Sequence, residues 1–156
     1  MPLRKATVGD VRSLHGLIRE EARRHRVLAR SLADLYDSLR DFWVWEEDAG
    51  VVGCAALHVA WETLGEVRSL VVREQHRSRG VGKALVRGCL EEAQQLGLKR
   101  LFVLTYLPDF FRRVGFRPVP KGELPQKVWT DCVHCPDFPD CGEEALILEL
   151  EAAGAS

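Results

Sequence analysis

The sequence predicts a single α/β domain, and three observations carry that expectation. Apolar runs of strand length alternate with segments of helical spacing in the order β-α-α-β-β-β-α-β-α-β. One of those strands passes through a basic, glycine-bearing turn directly into a helix, over Glu66–Leu85. The chain of 156 residues has 46% hydrophobic content, which is ample for one core and short for two domains.

Taken in order, Leu3–Ala6 reads as a short strand. Thr7 followed three residues later by Asp10 gives a capping-type start to a helix through about Arg24. A second helix is expected from Ser31, with Asp34 in the matching position, to about Arg40. Phe42–Glu47 and Val51–Ala60 flank Asp48-Ala-Gly50, a hairpin turn between antiparallel strands. Strand four is Glu66–Val72. The third helix, Val81–Leu96, places apolar residues at Val81, Ala84, Leu85, Cys89, Ala93 and Leu96 and is closed by Gly97. Strand five is Arg100–Thr105, a short helix starts at Pro108 and ends at Gly115-Phe116, and Ala145–Leu150 is the last strand. Between them about 119–144 form a polar insert bearing proline and cysteine, too long for a hairpin turn.

The turn after strand four is an anion-binding device. Helix N-termini carry unpaired N–H groups and partial positive charge, and Gly80 and Gly82 let a ligand approach the backbone. A Walker loop is excluded, because Arg77 stands where its first glycine belongs and Ala84 follows Lys83 where Ser or Thr is needed. A dinucleotide fingerprint is excluded by Leu85, which occupies the position of a small residue.

What remains is Arg77-x-x-Gly80-x-Gly82 between a strand and a helix, and here the chain resembles the GNAT superfamily of acyl-CoA-dependent N-acetyltransferases. The resemblance covers Leu3 to about Pro118 and is completed by the last strand. It implies a mixed, mostly antiparallel sheet with helices on both faces, in which strands four and five splay apart. It further implies acetyl-CoA as cosubstrate. The pantetheine arm would pair with backbone at Leu70, Val71 and Val72, beside Phe111. The diphosphate would be held at Arg77, Ser78, Arg79, Gly80, Val81, Gly82 and Lys83. All of residues 1–156 then read as one N-acetyltransferase domain with the 119–144 insert.

Acetyl transfer to an amine needs a positioned thioester, a deprotonated ammonium and stabilisation of the developing charges. Glu66, fourteen residues before Gly80, matches the strand position where many members of the superfamily place a general base. The alternative for Glu66 is a strand-end carboxylate paired with Arg68, two residues along on the same face. The superfamily's usual thiolate acid is a tyrosine in a segment like Phe-Tyr-x-x-x-Gly-Phe. This chain reads Phe110-Phe111-Arg-Arg-Val-Gly115-Phe116, and Phe111 cannot donate a proton. Tyr106 is the candidate donor in its place, with lining of the acceptor pocket as its other role. A non-catalytic acyl-CoA sensor is the rival reading that Phe111 favours.

For the acceptor, Thr105–Phe116, Leu124–Cys141 and Leu28–Tyr36 are similar to the short, stand-alone amino-acid N-acetyltransferases that make N-acetylglutamate for arginine biosynthesis. The resemblance therefore implies glutamate as the small-molecule partner, with another small amine or a peptide N-terminus as alternatives. Two carboxylates call for paired cations, and Arg30, Arg68, Arg112, Arg113 and Lys127 are expected near the pocket, with Arg30 and Lys127 the preferred pair.

Bulk properties exclude other classes. With 22 Lys+Arg against 23 Asp+Glu, no global charge points to nucleic acid or an anionic membrane. Basic residues are instead local to the turn, with a second run at Arg19, Arg23, Arg24, Arg26 and Arg30 readable as a solvated face with Glu20 and Arg24 at i,i+4. No segment approaches the roughly 18 apolar residues of a membrane span and no signal-peptide core is present, so a cytoplasmic enzyme is expected, with a homodimer compatible. Five cysteines, an odd number, argue against a secreted disulfide framework. Cys132-x-x-Cys135-x5-Cys141, with Asp131 and His134 interleaved, supplies only three thiols, so the expectation is no metal. Packed thiols and a redox-sensitive Cys132–Cys135 or Cys135–Cys141 bond are the alternatives.

Overall fold

A computed structural model describes residues 2–24, 27–124 and 143–150. Seven strands form one sheet in the order β1-β2-β3-β4-β5-β7-β6. They are β1 (Leu3–Lys5), β2 (Phe42–Glu47), β3 (Gly50–Trp61), β4 (Leu64–Val72), β5 (Arg100–Thr105), β6 (Arg117–Val119) and β7 (Glu144–Glu149). All neighbours are antiparallel except β4 and β5. The helices are α1 (Val11–Arg23), α2 (Leu32–Asp37), α3 (Val81–Leu96) and α4 (Pro108–Val114).

Each face has its own core. Val11, Leu14, Leu17 and Ile18 form the apolar stripe of α1 and meet Leu35 of α2 over Phe42, Val44, Cys54, Ala56 and Val71. On the opposite face Val81, Leu85, Val86, Cys89 and Ala93 of α3 pack on Ala55, Leu57, Val67, Leu101 and Val103, with Phe111 and Phe116 beside them. The expected mixed sheet with helices on both faces is therefore what forms. In α3, Leu96 is 58% exposed while Val86 is buried, because the helix ends in Gly97 at φ +85 and Leu98 takes the core position.

Of the boundaries that differ from the sequence reading, three have identifiable reasons. Val8–Asp10 is a 3-10 turn, so α1 starts only at Val11. The second helix stops at Asp37, because the Ser38 hydroxyl donates to the Asp34 carbonyl at 2.7 Å and Leu39–Asp41 turns the chain into β2. Strand β4 begins at Leu64, two residues early. Gly65 is a packing glycine there, since a Cβ on it would stand 2.8 Å from Leu98 and 2.9 Å from Leu101. Strand β6 is an addition, and it accommodates Pro118 because it is the last strand of the sheet and its far side needs no donor. Of the basic run, Arg24 meets Glu21 at 3.7 Å and Glu74 at 3.9 Å, whereas Glu20 faces Arg73 at 3.9 Å.

The entry to α1 is fixed electrostatically. Arg4 Nη1 and Nη2 donate to the two Asp10 carboxylate oxygens at 2.8 and 2.9 Å, and Asp10 also accepts from the Thr7 amide at 2.7 Å. The Arg4 hydrogen bonds hold the Asp10 carboxyl below the usual carboxylate range. A depressed carboxyl contributes stability that is present above its unfolded value, about 3.9, and is lost as pH falls through that value towards the folded one. Asp10→Asn should lower the thermal midpoint at pH 7 by about 2–4 °C, corresponding to about 1 kcal/mol, and the gap to the parent should narrow as pH is lowered from 7 to below about 3.9. A gap unchanged over that range in thermal melts would remove the Arg4–Asp10 pair from this role.

Candidate active site

The site begins where β4 and β5 part. Their parallel pairing consists of Leu64 with Arg100, Gly65 with Leu101 and Glu66 with Phe102, and it goes no further. Beyond it lies a cavity of about 1380 Å³, lined on one side by Val67–Leu70 and Val72 and on the other by Val103–Phe111. A bulge in β4 accompanies the divergence. Ala56 pairs with Arg68 and Cys54 with Val71, so Ser69 and Leu70 together face Ala55, with Ser69 at φ +54. Two side chains hold that strained residue: Cys54 Sγ donates to the Ser69 carbonyl at 3.4 Å and Arg30 Nη1 to the Ser69 hydroxyl at 3.3 Å. Leu70 and Val72 line the cavity, whereas Val71 is buried on the opposite face against α1.

At one end of the cavity the chain turns into α3. Ser78 at φ +64 and Gly80 at φ +83 bend the backbone so that Gly80 caps the helix, and Ser78, Gly80, Gly82 and Lys83 line the cavity. The first amides of α3 therefore stand at its wall without intrahelical acceptors. Gly80 has open space around its missing Cβ. A Cβ on Gly82, by contrast, would come within 3.2 Å of the Phe110 ring, so Gly82 seats α4 against the first turn of α3.

Arg77 lines the cavity, yet its guanidinium is engaged in holding the turn: Nε donates to the Val72 carbonyl at 2.9 Å and Nη2 to buried Glu21 at 3.0 Å. Arg79 is exposed and Val81 is buried in the core, and neither lines the cavity.

At the other end are the charged groups on the α1–α2 face. Glu66, 8% exposed, accepts from Arg68 Nε, so the carboxylate and the guanidinium do share a face. Directly across β3 is His58, whose Nδ1 lies 3.3 Å from Asp41. Arg30 donates to Asp34 at 2.7 Å and to the Ser38 hydroxyl at 2.8 Å, and its guanidinium sits 5.2 Å over the Phe42 ring. Hydrogen bonding from Arg30 holds the Asp34 carboxyl below its usual range. Arg30, Asp34, His58, Glu66 and Arg68 all line the cavity.

Tyr106 follows β5 at the cavity wall. Thr105 before it is buried and accepts the Leu107 amide at 2.9 Å. Phe111 also lines the cavity, packed edge-on between Phe110 and Phe116 at 5.1 and 5.4 Å. Arg113 reaches the lining. Arg112 does not, and pairs with Asp109 and Glu144.

The sequence reading missed His58 and Asp34. His58 is revealed by the register of β3 on β4, which sets it opposite Glu66. Lys127, Cys132, Cys135 and Cys141 lie outside the described residues, so of the preferred cation pair only Arg30 can be placed. Among the described residues no group of three His, Cys, Asp or Glu could hold a metal ion, and no helix is long and apolar enough to cross a membrane.

A parallel strand pair that parts beside a glycine-capped helix is the arrangement that the resemblance implies for an acyl-CoA-dependent transferase. The sequence profile of the Acetyltransferase (GNAT) family matches residues 10–116, and the chain belongs to that family. Enzymes of this family take the acetyl group from acetyl-CoA. An uncharacterized N-acetyltransferase of Chlorobaculum tepidum is 33% identical over 148 residues, covering 95% of this chain and 96% of the relative. An amino-acid acetyltransferase of Mycobacterium tuberculosis is 38% identical over 139 residues, 87% of this chain and 79% of the relative. Among solved structures, N-acetylglutamate synthase from Neisseria gonorrhoeae, complexed with coenzyme A and N-acetyl-glutamate, superposes with a TM-score of 0.85 at 27% identity. This chain is covered to 96% in that match and spans 35% of the larger protein.

Burial pushes the Cys54 thiol up to about 12 and the Cys89 thiol likewise up to about 12, so both stay protonated at neutral pH. Cys54 thus serves as a hydrogen-bond donor to the bulge and not as a nucleophile. Iodoacetamide at pH 8 should leave both cysteines unlabelled in the folded protein and label both in guanidinium, as read by peptide mass spectrometry. Labelling of Cys54 in the folded chain at the rate of a free thiol would overturn this assignment.

Proposed function

We propose that the chain transfers the acetyl group of acetyl-CoA to the α-amine of L-glutamate, the N-acetylglutamate-forming step that begins arginine biosynthesis, as one cytoplasmic domain over residues 1–156. The observation that carries the reading is the position of Glu66. It is a buried carboxylate at the last residue of β4 that pairs with β5, set between the slot left by the parting strands and a face bearing Arg68 and Arg30.

In this reading the diphosphate rests on the amides of residues 78–83, while Arg77 keeps the turn in shape through Val72 and Glu21. The pantetheine arm lies along Leu70 and Val72, which places the thioester beside the Ser69 bulge. Glu66 takes a proton from the ammonium, directly or through a water, and the amine attacks the thioester carbonyl. Tyr106 is the donor to the departing thiolate, since Phe111 has no hydroxyl to offer.

Arg68 is the first acceptor contact. A guanidinium carries five donors, enough to serve Glu66 and a ligand carboxylate together. Arg30, with Lys127, meets the second carboxylate. The amino-acid acetyltransferase relative and the N-acetylglutamate synthase superposition support glutamate over polyamines or peptides.

The test is CoA release from acetyl-CoA on addition of glutamate, with glutamine, polyamines and peptides as comparisons. Glutamate should give turnover, and Glu66→Gln should lower kcat by about 10²-fold or more with CoA affinity unchanged. Preference for another amine would replace the acceptor. Binding of CoA without turnover on any amine would favour the acyl-CoA sensor.

A further inference from the structure

We propose that His58, oriented by Asp41, receives the proton that Glu66 collects and passes it to solvent. The proposal rests on the acetyl-transfer reading above and adds to it the route by which the base is emptied in each turnover.

Stoichiometry requires such a route. An ammonium must lose two protons to become an amide. One leaves before nitrogen attacks the carbonyl carbon, and the other leaves the tetrahedral intermediate as the carbon–sulfur bond breaks. One proton ends on the coenzyme sulfur and the other in solvent. Glu66, 8% exposed, is set back from bulk solvent at the cavity wall. A proton on its carboxylate also disrupts the charge pairing with Arg68, which favours handing it on.

The geometry supplies the next acceptor. His58 and Glu66 are directly paired residues of β3 and β4, on one face, where opposite Cβ atoms stand about 4.5–5.5 Å apart. His58 lines the same cavity, and its side chain is 39% exposed against 11% for Glu66, so it is the more open of the two to bulk solvent. An ionised carboxylate only accepts hydrogen bonds, so Asp41 takes the Nδ1–H of the ring and leaves Nε2 as the basic nitrogen.

The proton moves from the Glu66 carboxyl to His58 Nε2, restoring the carboxylate and forming an imidazolium paired with Asp41. Water then removes it from Nε2. Among the described residues the charged groups around the ring are Asp41 in the 39–41 turn, Asp34 of α2, Arg30 before it, and Glu66 and Arg68 of β4. With every carboxylate ionised they sum to −1, so an imidazolium there leaves the cluster neutral.

The experiment compares the full chain with His58→Ala, His58→Gln and Asp41→Asn, using acetyl-CoA and whichever amine the parent acetylates. His58→Ala should lose about 10-fold or more in kcat at pH 7, with acetyl-CoA KM and the thermal midpoint kept. The deficit should shrink as pH rises, and added imidazole should restore His58→Ala but not His58→Gln. Asp41→Asn should show a smaller deficit of the same pH dependence. An active parent whose His58→Ala variant keeps its kcat and pH profile, or loses activity that imidazole does not restore, overturns the relay while leaving the acetyltransferase reading in place. A parent that acetylates no amine overturns both.

Discussion

The parting of β4 from β5 after Glu66 and Phe102 is the constraint on which the rest of this structure depends. Backbone N–H and C=O groups inside a sheet demand partners, and two strands that diverge in mid-sheet leave a row of them facing each other across a gap. The sheet survives because each side is secured elsewhere. Strand β4 is held by β3, and β5 pairs along its full length with β7. The α3 side chains and Leu98 span the root of the gap, packing on Val67 and Leu101 together. An extended, amide-bearing ligand arm has the shape and the hydrogen-bonding groups that such a gap lacks.

Around that gap the charges come in pairs, and each pair ties together two elements that border the cavity. Arg77 and Glu21 join the glycine turn to α1, Arg30 and Asp34 brace the loop before α2, and Arg30 also reaches the β4 bulge at Ser69. A buried ionic contact is weak grounds for stability, because desolvation offsets much of the attraction, but it restricts which arrangements are acceptable. The guanidinium of Arg30 illustrates this. Its side chain is 12% exposed and contacts a carboxylate, two hydroxyls and an aromatic ring. Few other positions of that loop would satisfy it.

Much of this was legible in the sequence. Helix α3 and strand β5 were bounded to the residue, because Gly80 and Gly97 punctuate one and a continuous apolar run marks the other. The glycine turn and the shared face of Glu66 and Arg68 were also readable, since both follow from local spacing. What escaped was tertiary in origin. The bulge at Ser69 uses a non-glycine residue with positive φ and carries no composition signal. Strand β6 carries Pro118, which the ladder tolerates because the sheet order places β6 at the edge. The engagement of Arg77 could not be foreseen, because Glu21 lies 56 residues away in the chain. His58 was passed over because nothing near it in sequence marks it, and only strand register sets it opposite Glu66.

The missing side chain at position 82 has a mechanical meaning. The Phe110 ring lies 3.2 Å from where a β-carbon would stand, so the wall built from the fourth helix rests directly on the opening turn of the third. Those two walls meet through a single phenyl ring, and bulk added at position 82 would wedge them apart.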